Sequence, residues 1–249
     1  GNPPIIMPEI TKNQLKHIRL LKQKKYRQES NEFMVEGEKN VMELLNSSFE
    51  IVAIYATEDW SYEFHEIEIT RINSKQLSQL SNLSTPNKVV AIARIPSMNF
   101  SNVNLEKGIT LALDSINDPG NLGTIIRSAD WFGIENIICS ENSVDCYNPK
   151  VVQATKGSIF NINIYYENLK SVLDINSSTV YGASINGEEI TKNQSFESPC
   201  LLLMGSESHG ISPELQPFLT KEISIKKTGN AESLNVAIAT SILLHELTK

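Results

Sequence analysis

Cysteine is scarce in this chain. Its 249 residues include three, Cys139, Cys146 and Cys200. An odd number without CxxC spacing supports neither a disulfide framework nor a zinc site, and fits a reducing cytoplasm. The four histidines, His17, His65, His209 and His245, are scattered and form no i, i+4 ligand pair, so no metal is expected. No apolar run approaches the about 18 residues a membrane span needs, and the amino terminus lacks the charged-then-apolar order of a signal peptide. The residues before Met7 read as additional to the native chain. Two glycine signatures are also missing. No GxGxxG follows the first strand of the carboxyl-terminal half and no GxxxxGK[ST] occurs, which argues against a dinucleotide-binding oxidoreductase and against a P-loop.

What is present suffices for a core: 40% of residues are hydrophobic. The net charge of −7 argues at first against nucleic acid, but it is unevenly spread. Residues 1–98 hold twelve Lys/Arg against twelve Asp/Glu, whereas residues 99–249 hold ten against seventeen. Within the neutral part, Lys12, Lys16, Arg19, Lys22, Lys24, Lys25 and Arg27 follow one another with no acid between them. Such a block can meet a phosphate backbone. It can equally be a solvated helix face.

Thr11 is placed to cap a helix whose apolar stripe is Leu15, Ile18 and Leu21. Phe33-Met-Val35 reads as a strand leading into a helix through Val41, Leu44 and Leu45. Strands over 50–55, 66–72 and 88–94 and a short helix over 74–80 complete a small α/β domain, 1–98. Residues 95–104 hold Pro96 and three Asn without periodicity, and mark the linker. A second domain, 105–249, then alternates strands and helices. The run Ile109 to Asp114 is apolar without alternation, as in a strand buried on both faces. A turn, Asn117-Asp-Pro-Gly-Asn121, leads into a helix carrying Leu122, Ile125, Ile126 and Ala129. Further strands are expected at 136–139, 162–165, 179–183, 200–204 and 222–225, with helices at 149–159, 169–175 and 234–247. The expectation is a parallel sheet covered by helices on both faces. Such sheets bind ligands outside the carboxyl ends of their strands.

Three strand ends should therefore share one edge: Asn117 to Asn121, Gly205-Ser-Glu-Ser-His-Gly210, and Lys226 to Asn235. Asn121 and Arg127 are not needed for the strand-helix-strand unit that contains them. Gly205 and Gly210 let backbone approach a ligand, and Glu207 is the acid of its loop.

Together these segments resemble the SpoU (TrmH-like) family of RNA 2′-O-ribose methyltransferases, within the knotted SPOUT methyltransferases. The first motif is Asn121-x5-Arg127 with Ala129 and Phe132-Gly133. The second is Gly205-Ser-Glu207-x-x-Gly210, and the third Ser233-Leu-Asn235-Val236. Residues 24–45 resemble the start of the family's ribosomal-protein-like substrate-binding domain. The resemblance implies S-adenosyl-L-methionine as methyl donor at a carboxyl-terminal deep trefoil knot, a homodimer, and structured RNA as substrate, ribosomal rather than transfer RNA. It implies cofactor positions at Gly205, Ile225 and Leu234, with Met204 nearby and Ala183 and Ser184 at the end of a neighbouring strand. The implied catalytic set is Arg127, Asn121, Glu207, Ser233 and Asn235. From the basic block, RNA contacts are expected at Lys22, Lys24, Lys25 and Arg27. A guanidinium stays charged in proteins, so phosphate clamp and transition-state stabiliser suit Arg127 better than base. Two departures stand out. Ile225-Lys226-Lys227 replaces the common Ile-Pro-Met, and Ala237 replaces a frequent Ser. The lysine pair motivates a second reading, an RNA-binding assembly protein that keeps the fold without catalysis.

Overall fold

The structure, a computed structural model, describes residues 9–63 and 67–249. The segment before Met7 and His65 lie outside the described residues. The chain divides into two compact units. One comprises residues 1–96 and 147–160, the other 97–146 and 161–249. A single division near residue 98 does not describe this, because the segment 147–160 joins the first unit although it follows the opening elements of the second.

In the first unit, α1 (Lys12–Leu20) starts on a capping box: the Gln14 N–H donates to Thr11 Oγ1 at 3.1 Å and the Thr11 N–H to Gln14 Oε1 at 2.8 Å. Ile18 and Leu21 are fully buried, as the apolar stripe requires. Next come α2 (Lys24–Ser30), β1 (Glu32–Glu36), α3 (Glu38–Leu45), β2 (Ile51–Ala56), β3 (Ile69–Arg71), α4 (Ser74–Leu80) and β4 (Val89–Arg94). The four strands form a mixed sheet in the order β1-β4-β2-β3, with β4 antiparallel to both neighbours and β2 parallel to β3. Ile18, Leu21, Met34, Leu77 and Ile92 belong to one core cluster between helices and sheet.

The expectation that Arg27 faces RNA is corrected. Arg27 is 2% exposed, and its Nη1 donates to the carbonyls of Leu21 and Lys22, each at 3.0 Å. Those carbonyls close α1, where intrahelical donors have run out, so a buried guanidinium satisfies them. Lys22, Lys24 and Lys25 are exposed.

The second unit contains β5 (Ile109–Leu113), α5 (Pro119–Trp131) and β6 (Asn136–Ser140). The next helix, α6 (Pro149–Thr155), belongs to the first unit. It is shorter than expected because Lys156 and Gly157 adopt φ of 52° and 95°, which end the helix. The second unit resumes with β7 (Asn163–Glu167), α7 (Leu169–Ile175), β8 (Thr179–Glu189), β9 (Cys200–Met204), β10 (Lys221–Ser224) and α8 (Val236–Thr248). Its six strands are all parallel, in the order β10-β8-β9-β5-β6-β7. Five residues of β9 are buried, as an unbroken apolar strand between two parallel neighbours should be.

β8 is longer than expected. Tyr181 and Gly182 pair with Lys221 and Glu222, but the next β10 residue, Ile223, pairs with Glu188, so 183–187 bow out of the ladder. Gly187 permits the return: a Cβ there would stand 2.7 Å from the backbone carbon of Ile223.

Candidate active site

Because every strand of the second unit points the same way, all the loops leaving their carboxyl ends share one edge. Leu113 of β5 pairs with Met204 of β9, so the first and second motif loops start side by side. The Asp114 N–H extends that ladder by donating to the Met204 carbonyl at 2.8 Å.

Asp114 is 4% exposed. Its carboxylate accepts from the Ser212 N–H at 2.7 Å and from Ser115 Oγ at 3.1 Å, which fixes the far end of the second motif loop. Asp118 caps α5 by accepting from the Asn121 N–H at 2.8 Å, with Pro119 in the first turn. The Asn121 side chain, which is not needed as a cap, reaches instead across the fold, and its Oδ1 accepts from Asn235 Nδ2 at 2.9 Å.

The second loop leaves no space at its base. A Cβ on Gly205 would lie 2.2 Å from the carbonyl carbon of Gly210. Ser206 and Gly210 bridge across the loop, and Gly210 has φ of 65°, open to glycine without strain. Glu207 stands within it, and its Oε1 accepts from the Val236 N–H at 3.0 Å.

The third loop follows β10 and is exposed from Lys226 to Asn235. Asn235 ends it by capping α8, its Oδ1 accepting from the N–H groups of Ala237 at 2.9 Å and Ile238 at 3.2 Å. The helix therefore starts at Val236, and Leu234, expected inside it, is a loop residue with 46% of its surface exposed.

The three motifs are thus physically linked. Asn235 ties the third loop to the start of α5, and Glu207 ties the second loop to the first turn of α8. α5 and α8 also meet through the hydroxyls of Ser128 and Ser241, 2.5 Å apart. Arg127 lies less than two turns beyond Asn121, exposed, with no hydrogen bond or ion pair to any described residue. Its charge is free for a ligand.

Met204 is buried, Gly205 and Ile225 are half-buried, and Ala183 and Ser184 lie half-buried in the bowed segment of β8. Met204, Gly205 and Ile225 end or follow β9 and β10, while Ala183 and Ser184 interrupt the pairing of β8, which lies between those two strands. Ser233 is exposed and makes no side-chain hydrogen bond to a described residue. Sequence reasoning missed Asp114 and Asp118. Each carried a signal, a charge closing an apolar strand and an acid directly before a proline at a helix start. Among the described residues no group of three or more His, Cys, Asp or Glu is arranged to hold a metal ion, and no helix is long and apolar enough to cross a membrane.

Cross-linked polar loops and an uncommitted arginine at the carboxyl edge of a parallel sheet make the second unit a candidate ligand-binding α/β domain, in a chain that also carries a smaller α/β unit. Residues 108–245 match the SpoU rRNA Methylase family, and residues 12–91 match the MRM3-like substrate binding domain. The chain belongs to the SpoU rRNA methylase family. It is 30% identical to the 23S rRNA (guanosine(2553)-2'-O)-methyltransferase RlmP of Bacillus subtilis, over 96% of this chain and 98% of that one. An AdoMet-bound rRNA methyltransferase from Sinorhizobium meliloti superposes with a TM-score of 0.85 at 31% identity, covering 96% of each chain. A chain from Porphyromonas gingivalis assigned to the TrmH family superposes with a TM-score of 0.84 at 34% identity, covering 96% of this chain and 98% of that one.

Proposed function

We propose that this protein transfers a methyl group from S-adenosylmethionine to a ribose 2′-hydroxyl of ribosomal RNA. The observation that carries the reading is the direct linkage of the three motifs through Asn121–Asn235 and Glu207–Val236, with Arg127 left uncommitted beside them. The relatives named above, an rRNA 2′-O-methyltransferase and an AdoMet-bound rRNA methyltransferase, support the same chemistry.

The residues present fit the cofactor. The loop after β9 packs on its own backbone at Gly205, at the end of β10 Ser224 Oγ donates to the Gly187 carbonyl, and Ile225 and Leu234 offer partly exposed apolar surface for a base. S-adenosylmethionine would supply an electrophilic methyl group on a sulfonium. Ile225, Leu234, Gly205, Met204, Ala183 and Ser184 would hold it. Arg127 would engage the phosphate next to the target ribose and stabilise charge developing on the 2′-oxygen as its proton leaves. Asn121, Glu207 and Asn235 hold the loops, and Ser233 has a free hydroxyl for the ribose. The inactive alternative finds no support, since every motif residue is present and the three motif segments are joined through Asn121–Asn235 and Glu207–Val236.

Four finer readings accompany this one. The domain carries a deep trefoil knot, supported by the return of α8 to α5 after the chain has visited β10 at the far edge of the sheet. It works as a homodimer, supported by Trp131 at 84% and Ile238 at 53% exposure on the packed α5 and α8, large apolar groups that a monomer would leave in water. The first unit is a ribosomal-protein-like RNA-recognition domain using Lys22, Lys24 and Lys25, and the protein resides in the cytoplasm, in keeping with its few, buried cysteines.

The test is calorimetric titration with S-adenosylmethionine together with transfer of labelled methyl to unmodified ribosomal RNA. Binding and transfer are expected, with Arg127→Ala lowering the rate at least about a hundredfold. Absence of cofactor binding, or full activity in Arg127→Ala, overturns the reading. Sedimentation of Trp131→Glu reads the homodimer, and unchanged mass removes that proposal.

A further inference from the structure

The second unit is strongly acidic, with eight Lys/Arg against seventeen Asp/Glu, a net charge of −9. A polyanion must nevertheless approach it. Three of its eight cations are paired within the unit: Lys107 with Glu135 at 3.6 Å, and Lys221 with Glu188 and Lys249 with Glu246 at 3.3 Å each. The other five, Arg127, Lys170, Lys192, Lys226 and Lys227, make no ion pair with a described residue. Three of these, Arg127, Lys226 and Lys227, belong to the linked motif segments.

Their placement changes the charge of the site. The motif loops carry Asp118, Glu207 and Glu232. Without the two lysines, Arg127 alone would stand against these three acids, and the edge would repel phosphate. Lys226 and Lys227 bring the count to balance. Both are exposed, directly after Ile225, in the loop whose other end holds Ser233 and Asn235. An exposed lysine presents a compact point charge at the end of a long, flexible stem. We infer that Lys226 and Lys227 bind backbone phosphates of the RNA that flank the target nucleotide, and so set substrate affinity without forming part of the cofactor pocket. The inference rests on the methyltransferase reading.

The test compares wild type with Lys226→Ala/Lys227→Ala, using unmodified large-subunit ribosomal RNA transcribed in vitro. The KM for RNA is expected to rise about tenfold, with kcat and the calorimetric Kd for S-adenosylmethionine within about twofold of wild type. The dependence of log affinity on log salt should flatten by about 1.4 to 1.8, as expected for two lost phosphate contacts. The Arg/Arg double variant should restore affinity. An unchanged KM and salt slope overturns the inference, as does a tenfold loss of cofactor affinity without loss of RNA affinity. Retention of RNA on filters without cofactor reads the lysines even if wild type transfers no methyl group, so the two readings fail separately.

Discussion

Asn235 Nδ2 donates to Asn121 Oδ1 across 2.9 Å, joining residues 114 positions apart in the chain. The same Asn235 caps α8 through its other side-chain atom, whereas Asn121 owes nothing to its own helix, which Asp118 caps. The two ends of this bond therefore differ in what they support. Asn121→Ala removes the bridge alone. It should slow methyl transfer at least about tenfold while costing about 1 kcal/mol, a fall of roughly 2–4 °C in melting temperature. Asn235→Ala removes bridge and cap together and should cost about 2 kcal/mol. Equal melting temperatures for the two variants would refute this division.

Gly205 has no room for a methyl group. A Cβ 2.2 Å from the Gly210 carbonyl carbon meets backbone, not a flexible side-chain end, so the second motif loop must open. Gly205→Ala should weaken S-adenosylmethionine binding at least tenfold by calorimetry. Gly229, where a Cβ meets nothing within 4 Å, serves as the control, and Gly229→Ala should bind normally. Wild-type affinity in Gly205→Ala would show that the loop backbone takes no part in the cofactor site.

How far the sequence discloses this site depends on the range of the interaction involved. Strand and helix positions follow from periodicity, because burial on both faces demands unbroken apolar strands such as Cys200–Met204. The common edge of the three motif loops follows from the parallel sheet. The bond from Asn121 to Asn235 does not, since no local pattern records which partner a side chain meets across the fold. The bowed segment of β8 is hidden for a similar reason: Gly187 matters only because β10 runs against it. Arg27 is the instructive misreading. In the chain it is one more cation in a basic block, and only the unpaired carbonyls at the end of α1 give its guanidinium a buried use.

That difference separates Arg27 from its neighbours. Arg27→Ala should destabilise the protein by about 1.5–3 kcal/mol, the cost of losing buried hydrogen bonds from a charged donor. Its effect on RNA affinity should vanish once the protein is measured well below its melting temperature. Lys22→Ala/Lys24→Ala/Lys25→Ala should do the opposite, leaving stability within about 0.5 kcal/mol and flattening the salt dependence of RNA binding. An unchanged salt slope in the triple variant would remove these lysines from the RNA surface.

Burial pushes the Cys139 thiol from 9.0 up to about 12, with Asp145 adding to the rise and a hydrogen bond involving Tyr166 opposing it. The thiolate is the reactive species. At pH 8.5 native Cys139 should therefore resist a thiol-specific reagent for hours and react at once in denaturant. The sign of the linked stability effect is fixed by the same shift. A thiol whose folded pKa is raised favours the folded state fully below about 9, and that contribution is lost as pH climbs toward about 12, because only the unfolded chain ionises in that window. The Cys139→Ala variant should accordingly show a shallower decline of stability between pH 9 and the alkaline limit than wild type. Parallel declines in the two proteins would mean that Cys139 ionises as readily when folded as when unfolded.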